Sequence, residues 1–98
     1  MKINALLMDD TDNVVTCVAE IRPGEEVAYR RGGEVLTLTA AEAIPYCHKI
    51  ALRDLAEGDE VLKYGELIGR TSAAIGKGCW VADHNIYSVP RDYDSEMV

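Results

Sequence analysis

The chain has 98 residues, room for one domain and far short of the ~250 residues a (β/α)8 barrel typically takes. With 48 % hydrophobic and 28 % charged residues it has the balance of a folded globular domain, which argues against extended disorder. Seventeen acidic against ten basic side chains leave a formal charge of −7, and the densest basic run is Arg30-Arg31. A phosphate backbone or an anionic membrane calls for a Lys/Arg cluster, so neither nucleic acid nor a membrane is an expected partner.

Gly, Pro and Asp/Asn punctuate the chain every few residues with short β-branched runs between them, the pattern of an all-β domain. Residues 3–8 read as a first strand, residues 9–13 as a solvated acidic turn, and residues 14–21 as a second strand. Counted as a calcium loop from Asp9, the sixth position is Val14 where a glycine is required, so the acidic turn is not assigned to a metal. Pro23-Gly24 makes the next turn. Residues 27–31 and 34–38 flank Gly32-Gly33, which predicts a two-residue hairpin. Thr39 and Glu42 have capping-box spacing and Pro45 follows, so residues 39–44 are expected to form one short helix.

Residues 46–52, 61–64, 67–75 (broken at Gly69) and 79–86 read as further strands, with turns at residues 55–59 and 76–78. No internal repeat is read. The polar, acidic residues 88–98 read as a tail, flexible or docked on a partner, behind a domain spanning residues 1–87. The three cysteines, Cys17, Cys47 and Cys79, are odd in number and include no CxxC pair. No apolar run approaches the ~20 residues of a membrane span and no signal peptide opens the chain, so the expected location is cytoplasmic with free thiols.

Two histidines carry most of the chemical potential. His84 lies in Ala82-Asp83-His84-Asn85, where Asn85 could orient it; the plain alternative is a half-exposed strand histidine. His48 lies in Tyr46-Cys47-His48-Lys49. Strand alternation would place Cys47 and His48 on opposite faces, with Cys47 buried and His48 outward, and so denies them a dyad. Lys63-Tyr64-Gly65 ends a strand with two side chains able to meet a carboxylate and a glycine that lets a ligand approach.

The second half carries a more specific pattern. His48-Lys49-Ile50-Ala51-Leu52, then Gly58, Val61-Leu62-Lys63-Tyr64-Gly65, Ile68-Gly69, Gly78 and His84-Asn85 follow in an order that resembles the SAF domain of the altronate and galactarate dehydratase family. The resemblance runs through residues 44–85 and more weakly back to about residue 12. It implies a β-clip fold, mostly β with short strands. It further implies the small subunit of a sugar-acid dehydratase, acting with a large catalytic subunit to eliminate water from a 2-hydroxy acid.

The small subunit of sulfolactate sulfo-lyase is a similar isolated SAF domain, and a non-catalytic ligand-binding or lid module is the other alternative. On this reading the isolated chain is inactive. His84 and Asn85 are the expected catalytic residues, with His84 also a metal ligand. His48, Lys49, Lys63 and Tyr64 are expected to bind substrate, and a divalent metal, iron or manganese, is the expected cofactor of the assembled enzyme. One departure stands out. The family usually shows His-x-His-Asn, and Ala82 occupies the place of its first histidine. By strand alternation, Asp83 would face away from His84 and could not replace it.

Overall fold

The computed structural model describes residues 2–88. Nine short strands make up the architecture: β1 (Ala5–Leu6), β2 (Val14–Cys17), β3 (Glu26–Arg31), β4 (Glu34–Thr39), β5 (Lys49–Ala51), β6 (Glu60–Lys63), β7 (Glu66–Thr71), β8 (Trp80–Val81) and β9 (Ile86–Tyr87). They form a four-stranded sheet in the order β1-β2-β5-β8, a β3-β4 hairpin and a three-stranded sheet in the order β6-β7-β9, with every pairing antiparallel. The mostly-β expectation holds.

The four-stranded sheet is buried on both faces, and its sequence says why. Successive strand residues point to opposite sides, and here each side carries an apolar cluster, with Leu6, Thr16 and Lys49 outside the buried set. Val15 and Cys17 of β2, Ile50 of β5 and Trp80 of β8 pack into one cluster with Val27 and Leu38 of the hairpin. Val14, Ala51 and Val81 enter a second cluster with Leu55, Val61 and Ile75. The register agrees: Val15 pairs with Ile50 and Ile50 with Trp80, while Val14 pairs with Ala51 and Lys49 with Val81. Burying a Val or Ile side chain contributes roughly 1.5–3 kcal/mol. A one-residue slip would exchange the two sets of side chains, so both cores hold the register.

Three expectations are corrected. Among the described residues there is no helix: Thr39 ends β4, and Ala41-Glu42 is a bend. The supposed cap residue Glu42 turns instead to β8, where its Oε2 accepts from the Trp80 amide at 3.1 Å. A partner from across the fold therefore replaces the local one. Asp12 and Asn13 are buried rather than solvated, at 3 % and 6 % exposure. The Asp12 carboxylate accepts from the amides of Asp9 (3.1 Å), Tyr64 (2.9 Å) and Gly65 (2.8 Å). Asn13 donates to the Glu60 carbonyl at 2.8 Å and accepts from the Leu62 amide at 2.9 Å.

Third, a five-residue turn does repeat, four times: Ile21–Glu25, Ile44–His48, Leu55–Asp59 and Ile75–Cys79. In each copy the fifth residue's amide donates to the second residue's carbonyl, at 3.1, 3.1, 3.1 and 3.0 Å. The fourth residue has positive φ in each: Gly24 at 83°, Cys47 at 67°, Gly58 at 85° and Gly78 at 86°. This is type II turn geometry, with its usual glycine replaced by cysteine in one copy. The leading apolar residues bridge in pairs, Ile21 with Ile44 and Leu55 with Ile75. Unequal spacing along the chain hides the repeat from a search for a fixed period.

Strand ends also move. The run expected over residues 46–52 narrows to Lys49–Ala51, because the second turn of the repeat occupies residues 44–48. The run over residues 79–86 divides into β8 and β9 around a turn at residues 83–85. The hairpin at Gly32-Gly33 forms with Arg31 paired to Glu34, and only Gly32 takes positive φ, at 60°. The expected tail, except for Ser88, lies outside the described residues.

Candidate functional site

Strand β8 and the turn after it bring the two histidines to one indole. Trp80 is half-buried against the first core, opposite Ile50. Its Nε1–H donates to Nδ1 of His48 at 2.9 Å, and the two rings meet edge to face with centroids 5.2 Å apart. His84 lies against the same indole with centroids 4.7 Å apart and a 53° tilt. His48 and His84 are thus neighbours across Trp80, although they stand 36 positions apart in the sequence. The sequence reading named both histidines and missed Trp80, the residue that joins them. A signal was present: Trp80 is the only tryptophan, and it sits four residues before His84.

His84 is exposed and lies in the turn between β8 and β9, not in a strand. Strand alternation therefore says nothing about how Asp83 and His84 are disposed. Asn85 is half-buried and shapes the turn with both ends of its carboxamide. Its Nδ2 donates to the Trp80 carbonyl at 2.7 Å and its Oδ1 accepts from the Ala82 amide at 2.9 Å. Asn85 thereby carries His84 on a fixed turn rather than through a side-chain hydrogen bond to the imidazole.

At the other histidine the alternation argument also fails locally. Cys47 is exposed, in a turn, and His48 is half-buried against Trp80, the reverse of the expected arrangement.

Lys49 and Lys63 form the cationic part of the surface. Lys49 enters β5 on the face opposite Ile50 and is half-buried. Burial holds its ammonium below the ordinary lysine range, the nearby Lys63 charge pushes the same way, and Asp83 partly offsets both. Like charges that act on one another are relieved by an anion. Lys63 stands over the ring of Tyr64, 5.5 Å from its centroid. Tyr64 is exposed and occupies the β6-β7 hairpin tip at φ 58°, followed by Gly65 at φ 71°. Two successive positive φ values are what a type I′ hairpin requires. The buried Asp12 holds that tip by accepting both amides.

The six expected site residues therefore fall into two groups. His48, His84 and Asn85 gather around Trp80, and Lys49, Lys63 and Tyr64 lie along β5 and the β6-β7 hairpin, with Asp83 acting on Lys49. Among the described residues, no three His, Cys, Asp or Glu side chains come together as a metal-holding group. His84 could offer one ligand, which does not by itself make a resident metal site. A separate cleft of about 300 Å³ lies between the Asp10–Asn13 loop, Arg31 and Arg53, on residues the sequence reading did not assign to the site.

Comparison with known proteins bears on what this surface belongs to. The altronate/galactarate dehydratase SAF domain family matches residues 3–89. Altronate dehydratase of Escherichia coli (strain K12) is 36 % identical over 94 residues, covering 96 % of this chain and 17 % of that enzyme. Galactarate dehydratase (L-threo-forming) of the same organism is 35 % identical over 82 residues, covering 84 % of this chain and 14 % of that enzyme. The (2R)-sulfolactate sulfo-lyase subunit alpha of Chromohalobacter salexigens is 37 % identical over 92 residues, covering 88 % of this chain and 95 % of that subunit. The chain thus spans under a fifth of the length of either dehydratase and nearly all of the sulfo-lyase subunit. With the family matched over residues 3–89 and the fold in agreement, the chain belongs to the SAF domain family of altronate and galactarate dehydratases.

Proposed function

We propose that this chain is the small subunit of a lyase, acting with a large catalytic subunit to eliminate a β-substituent from a 2-hydroxy acid. The reaction would remove the proton α to the carboxylate and expel the β-substituent, as water from a sugar acid or as sulfite from a sulfolactate-type substrate. The observation that carries the reading is the pairing of His48 and His84 across Trp80, with His84 exposed and fixed on the turn that Asn85 shapes. An exposed, positioned imidazole is suited to moving a proton near neutral pH. Lys49 and Lys63 would take the substrate carboxylate, and Tyr64 would border it.

The end-to-end likeness to a separate sulfo-lyase subunit supports a two-subunit arrangement, and the likeness to the two dehydratases supports water as the leaving group. Sugar-acid dehydration is the first choice. A divalent metal such as iron or manganese would take most of its ligands from the large subunit, with His84 contributing at most one from the described residues. Ala82, standing where the family usually has histidine, favours a second reading in which the domain is a lid or ligand-binding module without chemistry of its own.

Co-expression with the large subunit separates these. Turnover of altronate, galactarate or sulfolactate by the pair, lost on His84→Ala, is expected for the catalytic reading. Turnover unchanged by His84→Ala selects the lid.

A further inference from the structure

We propose that Trp80 is a positioning residue that fixes His48 in its Nε2–H tautomer, so that His48 meets the substrate as a hydrogen-bond donor. An indole N–H can only donate. Trp80 Nε1 lies 2.9 Å from Nδ1 of His48, so Nδ1 is the acceptor and the proton of the neutral ring resides on Nε2. Among the described residues Nε2 makes no hydrogen bond, which leaves it as the ring's available donor.

The geometry is held from several directions. The Trp80 amide donates to Glu42 at 3.1 Å, its carbonyl accepts from Asn85 at 2.7 Å, and its ring packs on the first core. His48 is in turn fixed by its amide, which donates to the Pro45 carbonyl at 3.1 Å, and by its carbonyl, which accepts from Cys17 at 2.8 Å.

The consequence is a division of labour. His84 touches the indole by ring contact, and no hydrogen bond of the described residues ties either of its nitrogens, so it keeps both tautomers. His48 is restricted to donation and is suited to an anionic oxygen, such as the carboxylate of the substrate class proposed above. The tautomer assignment stands on geometry alone; only the identity of the acceptor rests on the proposed function.

The experiment is nitrogen-15 NMR of the imidazoles in the full chain, at a pH where both histidines are neutral, for wild type and Trp80→Phe. Wild type should show a pyridine-type Nδ1 and a pyrrole-type Nε2 at His48. Trp80→Phe keeps a ring on the core and removes the donor, so the His48 tautomer ratio should relax by about fivefold, the equilibrium effect of a typical hydrogen bond.

Should Trp80→Phe not fold, His48→Ala reads the same bond from the other side: the Trp80 indole proton should then exchange faster with solvent. A proton on Nδ1 of wild-type His48 overturns the proposal, as does a ratio that ignores Trp80→Phe or an indole proton indifferent to His48→Ala. If the tautomer is as expected but the assembled complex has no lyase activity, the proposed function fails and the assignment of Trp80 stands.

Discussion

At Cys47 the backbone takes φ 67° where the three other copies of the same turn use glycine. A side chain in the left-handed region costs roughly 1–2 kcal/mol, against which glycine loses about 0.5–1 kcal/mol of chain entropy. Cys47→Gly is therefore expected to stabilise the domain by about 0.5–1 kcal/mol, a rise of about 4 °C in melting temperature. The three thiols should also react in order. Cys47 is exposed and should be modified first in native protein. Burial pushes the Cys17 thiol up to about 11, with Glu25 adding to it, so Cys17 should stay unmodified until the chain unfolds. Stoichiometric labelling followed by peptide mapping checks the order; early modification of Cys17 would contradict the packing.

Lys49 makes the opposite bargain. Its lowered pKa means the ammonium is less favourable in the fold than in the unfolded chain. Such a contribution is lost as pH falls through the folded value, so at neutral pH the full cost is present. Lys49→Met should raise the melting temperature at pH 7 by about 1–3 °C after solvent screening. The gain should shrink as the pH rises toward the ordinary lysine value of 10.5. Melting curves across that range decide it, and an unchanged or lower value at pH 7 would contradict the assignment.

The elements were legible to different degrees, and the reasons are physical. Period-two runs and Gly/Pro punctuation marked the hairpin β3-β4 and most strands, because those signals are local. The helix expected at residues 39–44 failed because Glu42 finds the Trp80 amide, a partner no local pattern contains. The Asp12 and Asn13 side chains read as solvated for the same reason: their partners in Gly65 and Leu62 lie about fifty positions away along the chain. His48, His84, Lys49, Lys63 and Tyr64 were legible as chemical types. Their division around Trp80 and along the lysine edge was not, since it depends on the pairing of β5 with β8.

A prediction at this scale concerns the β6-β7 tip. Asp12→Ala leaves the Tyr64 and Gly65 amides without their acceptor and should cost about 2–4 kcal/mol. Amide exchange at Tyr64 and Gly65 should accelerate more than exchange in β2. Uniform acceleration across the domain would contradict a role confined to the hairpin.

For the whole molecule, two small cores on either side of one sheet hold a surface on which two histidines flank a tryptophan. The proposed function rests on a large subunit that completes the chemistry. The purified chain alone should therefore show no elimination activity. The decisive measurement is turnover by the complex of this chain with the proposed large subunit, comparing wild type with His84→Ala and recording a melting curve for each. The account predicts a loss of about 10²–10⁴-fold in turnover for His84→Ala at an unchanged melting temperature. Robust turnover by the small chain alone, or near wild-type turnover of the His84→Ala complex, would contradict it.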